Sequence, residues 1–86
     1  MYRIEYERAA QKELARLPHV IQARIIDAIE ALADDPRPPG NRKVVGTSRG
    51  HRIRVGDFRV LYDIEDDILV IVVIRVGRRD KAYRRT

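Results

Sequence analysis

The stretch HRIRVGDFRVLYDI, residues 51–64, decides the fold. Arginine alternates with aliphatic and aromatic residues on both sides of Gly56-Asp57, and a pair that begins with glycine suits a two-residue type II′ hairpin turn. With Gly56 and Asp57 as the loop, Val55 falls opposite Phe58, Arg54 opposite Arg59 and Ile53 opposite Val60. Directly paired residues share a face, and faces alternate along each strand. Ile53, Val55, Phe58 and Val60 therefore make an apolar face, and Arg52, Arg54 and Arg59 project from the other. A slip of one residue would turn the arginines toward the core, where unpaired charge is prohibitively costly. Like charges directly across a ladder still cost up to about 1 kcal/mol. Either this is a solvated face balanced by Asp63 and acidic helix residues, or it is a surface that meets phosphate.

Working outward from the hairpin, residues 2–6 alternate polar and apolar and predict a short strand. Ala10, Leu14 and Leu17 then fall at helical spacing, on a helix that ends near Pro18. Pro18 can open a second helix, since the first turn does not use its missing N–H. That helix carries Ile21, Ile25, Ala28, Ile29 and Leu32 on one stripe, with Arg24, Asp27, Glu30 and Ala31 off it. Three prolines and a glycine in DDPRPPGN, residues 34–41, stop it. KVV at 43–45 predicts a short edge strand, and EDD at 65–67 the reversal after the hairpin. ILVIVVIRV, 68–76, lacks alternation, which predicts a central strand covered on both faces. The tail GRRDKAYRRT reads as a short helix or an extended arm. The expected fold is α+β, with order β-α-α-β-β-β plus the short edge strand at 43–45 after the helices. A helical hairpin packs on one face of a small, mostly antiparallel sheet, leaving the other face open, within one domain spanning 1–86.

Charge is unevenly spread. Residues 1–36 sum to −2 and residues 37–86 to +7, giving the net +5. Fifteen of the eighteen cations are arginine, whose planar fork grips phosphate bidentately where lysine acts as a point charge. Arg75, Arg78, Arg79, Lys81, Arg84 and Arg85 form a second basic block beside the hairpin. This balance favours nucleic acid or the ribosome as partner. With no cysteine and only His19 and His51, a disulfide framework is excluded, a histidine-ligated metal is not expected, and no cofactor is implied. No apolar run approaches the roughly 18 residues of a membrane span. The opening MYRIEYERAAQKELARLP carries charge where a secretory signal needs an apolar stretch, so the expected location is cytoplasmic, with no membrane contact.

With these residues in place, the chain resembles the RelE/ParE superfamily of bacterial and archaeal toxins, and is most similar to its RelE branch. The opening 2–18, the helical hairpin with its proline-rich loop, residues 51–64 and VIVVIRVGRRDKAY occur in the family's order along nearly the whole chain. The resemblance implies a small basic toxin that enters the ribosomal A site and cuts the messenger RNA held there, by attack of a 2′-hydroxyl on the neighbouring phosphate. It also implies a cognate RelB-like antitoxin that wraps the helices and covers the basic face.

By the same resemblance, Arg59 matches the family's phosphate-stabilising arginine. Arg79 matches a second arginine that assists the leaving group, and Tyr83 an aromatic residue that positions or stacks on the nucleotide. Arg52 and Arg54 stand where relatives carry a basic pair, often lysines; with Lys43, Arg78 and Lys81 they are the candidate RNA- and phosphate-binding residues. Arginine stays protonated where a lysine could act as base, so the general base is unassigned. Arg78 stands where some relatives carry a histidine. His51 is expected on the core side of its strand, and His19 at the helical joint is expected to be structural. Two other activities fit the residues less closely: a ParE-type inhibitor of gyrase, and a catalytically degenerate nucleic-acid-binding module.

Overall fold

The polypeptide opens with strand β1 (Arg3–Tyr6), passes through helices α1 (Arg8–Ala15) and α2 (His19–Ala31), and continues as β2 (Arg42–Lys43), β3 (Gly50–Val55), β4 (Phe58–Glu65) and β5 (Val70–Arg78). The computed structural model describes residues 1–39, the backbone of 42–43, and 50–78. The sheet order is β1-β5-β4-β3-β2. β1 runs parallel to β5, and every other neighbouring pair is antiparallel. No helix among the described residues is long and apolar enough to cross a membrane.

The hairpin register is the one expected: Val55 pairs with Phe58, Arg54 with Arg59 and Ile53 with Val60. Gly56 has φ +60, whereas Asp57 is not among the residues of positive φ, which matches a II′ turn. Along β4 burial alternates strictly, with Phe58, Val60, Tyr62 and Ile64 inward and Arg59, Leu61, Asp63 and Glu65 on the other face. Against that inner face pack Ala10 and Leu14 of α1, and Ile25, Ile29 and Leu32 from α2 and its C-terminus. Ile25 and Ile29 are wholly buried, each stabilising the fold by about 1.5–3 kcal/mol relative to exposure. Pro18 is the N-cap of α2 rather than its first helical residue. The joint is held by Gln22, whose side-chain amide donates to the Leu14 carbonyl at 2.8 Å, an oxygen that also accepts the Leu17 N–H at 3.1 Å.

Three details differ from expectation. β5 starts at Val70, because Ile68 and Leu69 belong to the β4–β5 turn, where Leu69 has φ 55 and both side chains are exposed. The absence of alternation in β5 has two sources: the adjacent Val70 and Ile71 are buried on opposite faces, as expected, and a bulge follows them. Tyr62 pairs with Val73 but Leu61 with Arg75, which leaves Ile74 as a bulge residue. That insertion resets the parity, so Val73 and Val76, three apart, both reach the core. β5 is an interior strand, as expected, paired with β1 on one side and β4 on the other, with β4 the middle strand of the five. The edge strand β2 covers Arg42 and Lys43, paired with Arg52 and His51; residues 44 and 45 lie outside the described residues.

At the end of the sheet remote from the hairpin turn, three segments are clasped together. Tyr2 donates its hydroxyl to Asp66 Oδ1, and Arg37 donates to Asp66 Oδ2 at 2.9 Å. The backbone N–H of Tyr2 donates to the Ala33 carbonyl at 2.8 Å, and that of Arg3 to Leu69 at 2.8 Å. Arg37, followed by Tyr2, stabilises the ionised Asp66 and lowers its pKa. The buried Tyr62 ties down the loop after α2 by donating its hydroxyl to the Pro36 carbonyl at 2.7 Å.

Candidate nucleic-acid interface

Arg54 and Arg59 face each other across the β3–β4 ladder, on the side of the sheet away from the helices. Arg52, two residues from Arg54 on β3, shares their face and pairs with Leu61. The hairpin turn produces this concentration: a two-residue loop places identical distances from the turn opposite each other, and both strands carry arginine at that distance. Arg54 is exposed, and its Nε donates to the Gly56 carbonyl at 3.2 Å. Arg52 and Arg59 are partly buried. On the other side of Arg59, its partner on β5 is Gly77, a position without a side chain.

The same face changes sign along the strands. Asp63 and Glu65 follow on β4, and beyond β5 the paired Arg3 and Glu5 of β1 lie 2.8 Å apart. Asp63 is four residues from Arg59, about 13 Å along the backbone, but only two beyond Leu61, the partner of Arg52, so the change of sign begins beside Arg52. The positive end of the face is therefore the one nearest the hairpin turn, at Arg54 and Arg59.

Arg78 leaves the sheet on the opposite side. It pairs with Phe58, an inward residue, and its guanidinium carbon lies 5.9 Å from the Phe58 ring centroid. This is a cation–π arrangement, on a groove bordered by Glu13, Arg16, Leu17, Pro18 and Ile21. Arg78 does not join the patch of Arg52, Arg54 and Arg59. Arg75, counted above in the basic block, is occupied structurally: its Nε donates to Glu13 Oε2 at 2.9 Å and a terminal nitrogen lies 2.8 Å from the same oxygen. Lys43 is placed only by its backbone pairing with His51. Arg79, Lys81 and Tyr83 lie outside the described residues. His51 lies on the core side, stacked on Tyr62 with ring centroids 5.7 Å apart, as alternation requires.

Sequence reasoning missed Glu13. Its carboxylate also accepts the Val76 N–H at 2.7 Å, a contact that depends on where β1 stops and α1 docks. The only hint was a charged residue beside Leu14 on the edge of the apolar stripe.

A family model described as ParE toxin of type II toxin-antitoxin system, parDE, matches residues 4–83. Toxin RelG of Mycobacterium tuberculosis is 32% identical over an alignment of 88 residues that covers 98% of this chain and 98% of RelG. Toxin RelE of the same organism is 30% identical over 84 residues, covering 96% of this chain and 87% of that protein. Among solved structures, the archaeal RelE–RelB complex from Pyrococcus horikoshii OT3 contains a chain that superposes with a TM-score of 0.80 at 28% identity, covering 94% of this chain and 98% of that one.

Proposed function

The chain belongs to the RelE-like toxins of the RelE/ParE superfamily, acting within toxin–antitoxin systems, and from that premise we propose that it is a ribosome-dependent endoribonuclease that cuts messenger RNA in the A site. The observation that carries this reading is the Arg54–Arg59 pair, joined by Arg52 on the open face of the sheet and bordered by the side-chain-free Gly77. Like charges directly opposite on a ladder disfavour the pairing by themselves, and two guanidinium groups on one open face suit the oxygens of a phosphate.

In the proposed reaction the 2′-oxygen forms a bond to the adjacent phosphorus while the bond from phosphorus to the 5′-oxygen breaks. The products are a 2′,3′-cyclic phosphate and a free 5′-hydroxyl. The phosphorane transition state gains charge on its non-bridging oxygens, and the partly buried Arg59 is the group offered to that charge, in surroundings where water screens it less. Arg52 and Arg54 hold flanking phosphates. By family resemblance, Arg79 neutralises the departing 5′-oxygen and Tyr83 stacks on a nucleotide base. Lys43 and Lys81 add phosphate contacts, whereas Arg78, on the other side of the sheet, would meet RNA outside the scissile pocket. None of these arginines, which stay protonated, accepts the 2′-proton; it passes to solvent water, which returns a proton to the departing 5′-oxygen. Much of the acceleration then rests on alignment of the RNA by the ribosome and on charge stabilisation.

The proposed partners are the ribosome, messenger RNA and a RelB-like antitoxin, since the Pyrococcus structure is a RelE–RelB complex. The site of action is the cytoplasm. The test mixes purified protein with ribosomes holding a defined codon in the A site. Cuts in codon register are expected from the wild type, and Arg59→Ala should lower the rate by about 10²–10³-fold while still folding and binding antitoxin. Normal cutting by Arg59→Ala would overturn the site. Intact RNA with inhibited gyrase would favour the ParE-type activity.

A further inference from the structure

β1 accompanies β5 only as far as Tyr6, opposite Val73. After Tyr6 the chain turns into α1, so among the described residues no strand lies beside the outer edge of β5 from Ile74 onward. This unaccompanied stretch contains the bulge and leads to Gly77, opposite Arg59. Glu13 supplies what the missing strand would. Oε1 accepts the Val76 N–H at 2.7 Å, and Oε2 binds the Arg75 guanidinium at 2.9 and 2.8 Å. These are charge-assisted bonds, the stronger kind, and the Glu13 side chain is only 25% exposed. Both carboxylate oxygens are engaged.

We propose that Glu13 is a positioning residue for the RNA-cutting site, holding the end of β5 in register so that Gly77 keeps a set placement beside Arg59. The proposal rests on the cutting activity inferred above. A bulge interrupts the ladder and bends its strand, and strand ends with few partners open locally. A displacement of about 1 Å between reacting groups can cost about 10²-fold in rate. Glu13 touches no substrate; it acts through Arg75 and Val76.

The test compares wild type, Glu13→Ala and Glu13→Gln in single-turnover cutting of A-site RNA, alongside amide hydrogen exchange and guanidinium NMR of the free protein. Glu13→Ala should slow cutting about tenfold or more, while the ribosome concentration giving half the maximal rate changes less than about twofold. Its Val76 and Gly77 amides should exchange at least about tenfold faster, with Val60 and Tyr62 still protected. Glu13→Gln, whose amide oxygen still accepts the Val76 N–H, should recover part of the rate. An unchanged rate in both variants overturns the proposal, as does loss of protection throughout the sheet with glutamine no better than alanine. Should Glu13→Ala not fold, Glu13→Gln decides alone: slower cutting at unchanged half-saturation supports positioning, and wild-type cutting refutes it. Wild-type protein that leaves the RNA intact sinks the cutting activity itself. Glu13 is then judged by the Arg59 Nε and Gly77 resonances, which must move in the folded variant or the positioning role falls.

Discussion

Arg54 and Arg59 are direct cross-strand partners, one residue back from each end of the Gly56-Asp57 turn and on the side of the sheet that the helices leave uncovered. Like charges directly opposite on a ladder disfavour the pairing by themselves, and the proposed phosphate contact draws on both. Arg54→Glu should therefore raise stability by a few tenths to about 1 kcal/mol, read from urea melts. It should also weaken binding of single-stranded RNA and reduce the salt slope by about 0.7 or more. A variant that loses both stability and affinity would mean that Arg54 contributes to the fold in some other way.

Gly56 has φ +60, and a β-carbon built there meets nothing within 4 Å. Gly56→Ala should therefore cost about 1–2 kcal/mol through backbone strain alone. Gly56→Asn, a residue that tolerates the left-handed region, should cost less. Thermal melts of the two variants check the order; equal losses would argue against a turn governed by φ.

Tyr62→Phe removes the donor to the Pro36 carbonyl and leaves that acceptor short of a partner. The expected loss is about 1–2 kcal/mol. The bond lies on the helix side of the sheet, so RNA cutting at saturating ribosome should not change. A fall in cutting without a fall in stability would tie the proline-rich loop to the site.

Asp66 titrates below its ordinary value of 3.8 because Arg37, and then Tyr2, hydrogen-bond its carboxylate. A carboxylate depressed by folding stabilises above its unfolded pKa, and that contribution is lost as pH falls through the folded value. Stability should thus decline from about pH 4 downward, and Asp66→Asn should flatten that part of the profile while lowering stability at neutral pH. Melting temperatures from pH 2.5 to 7 supply the measurement. An unchanged acid limb would mean that the clasp of Tyr2, Arg37 and Asp66 does not hold in solution.

The hairpin, its register and the sidedness of Arg52, Arg54 and Arg59 were legible in the chain because each follows from local rules. A glycine at the turn sets the pairing, and side chains alternate with a period of two. The helical hairpin was legible for a similar reason, through the spacing of Leu14, Ile25 and Ile29. The bulge at Ile74, the engagement of Arg75 by Glu13 and the departure of Arg78 onto the Phe58 side were decided only in three dimensions. The Glu13–Arg75 contact depends on β1 ending at Tyr6 and α1 docking beside β5, 62 residues away along the chain, and the bulge and the side taken by Arg78 on the register between β4 and β5. Pairing between segments so distant is set by the packing of the whole core, and no neighbouring residue in the sequence encodes it.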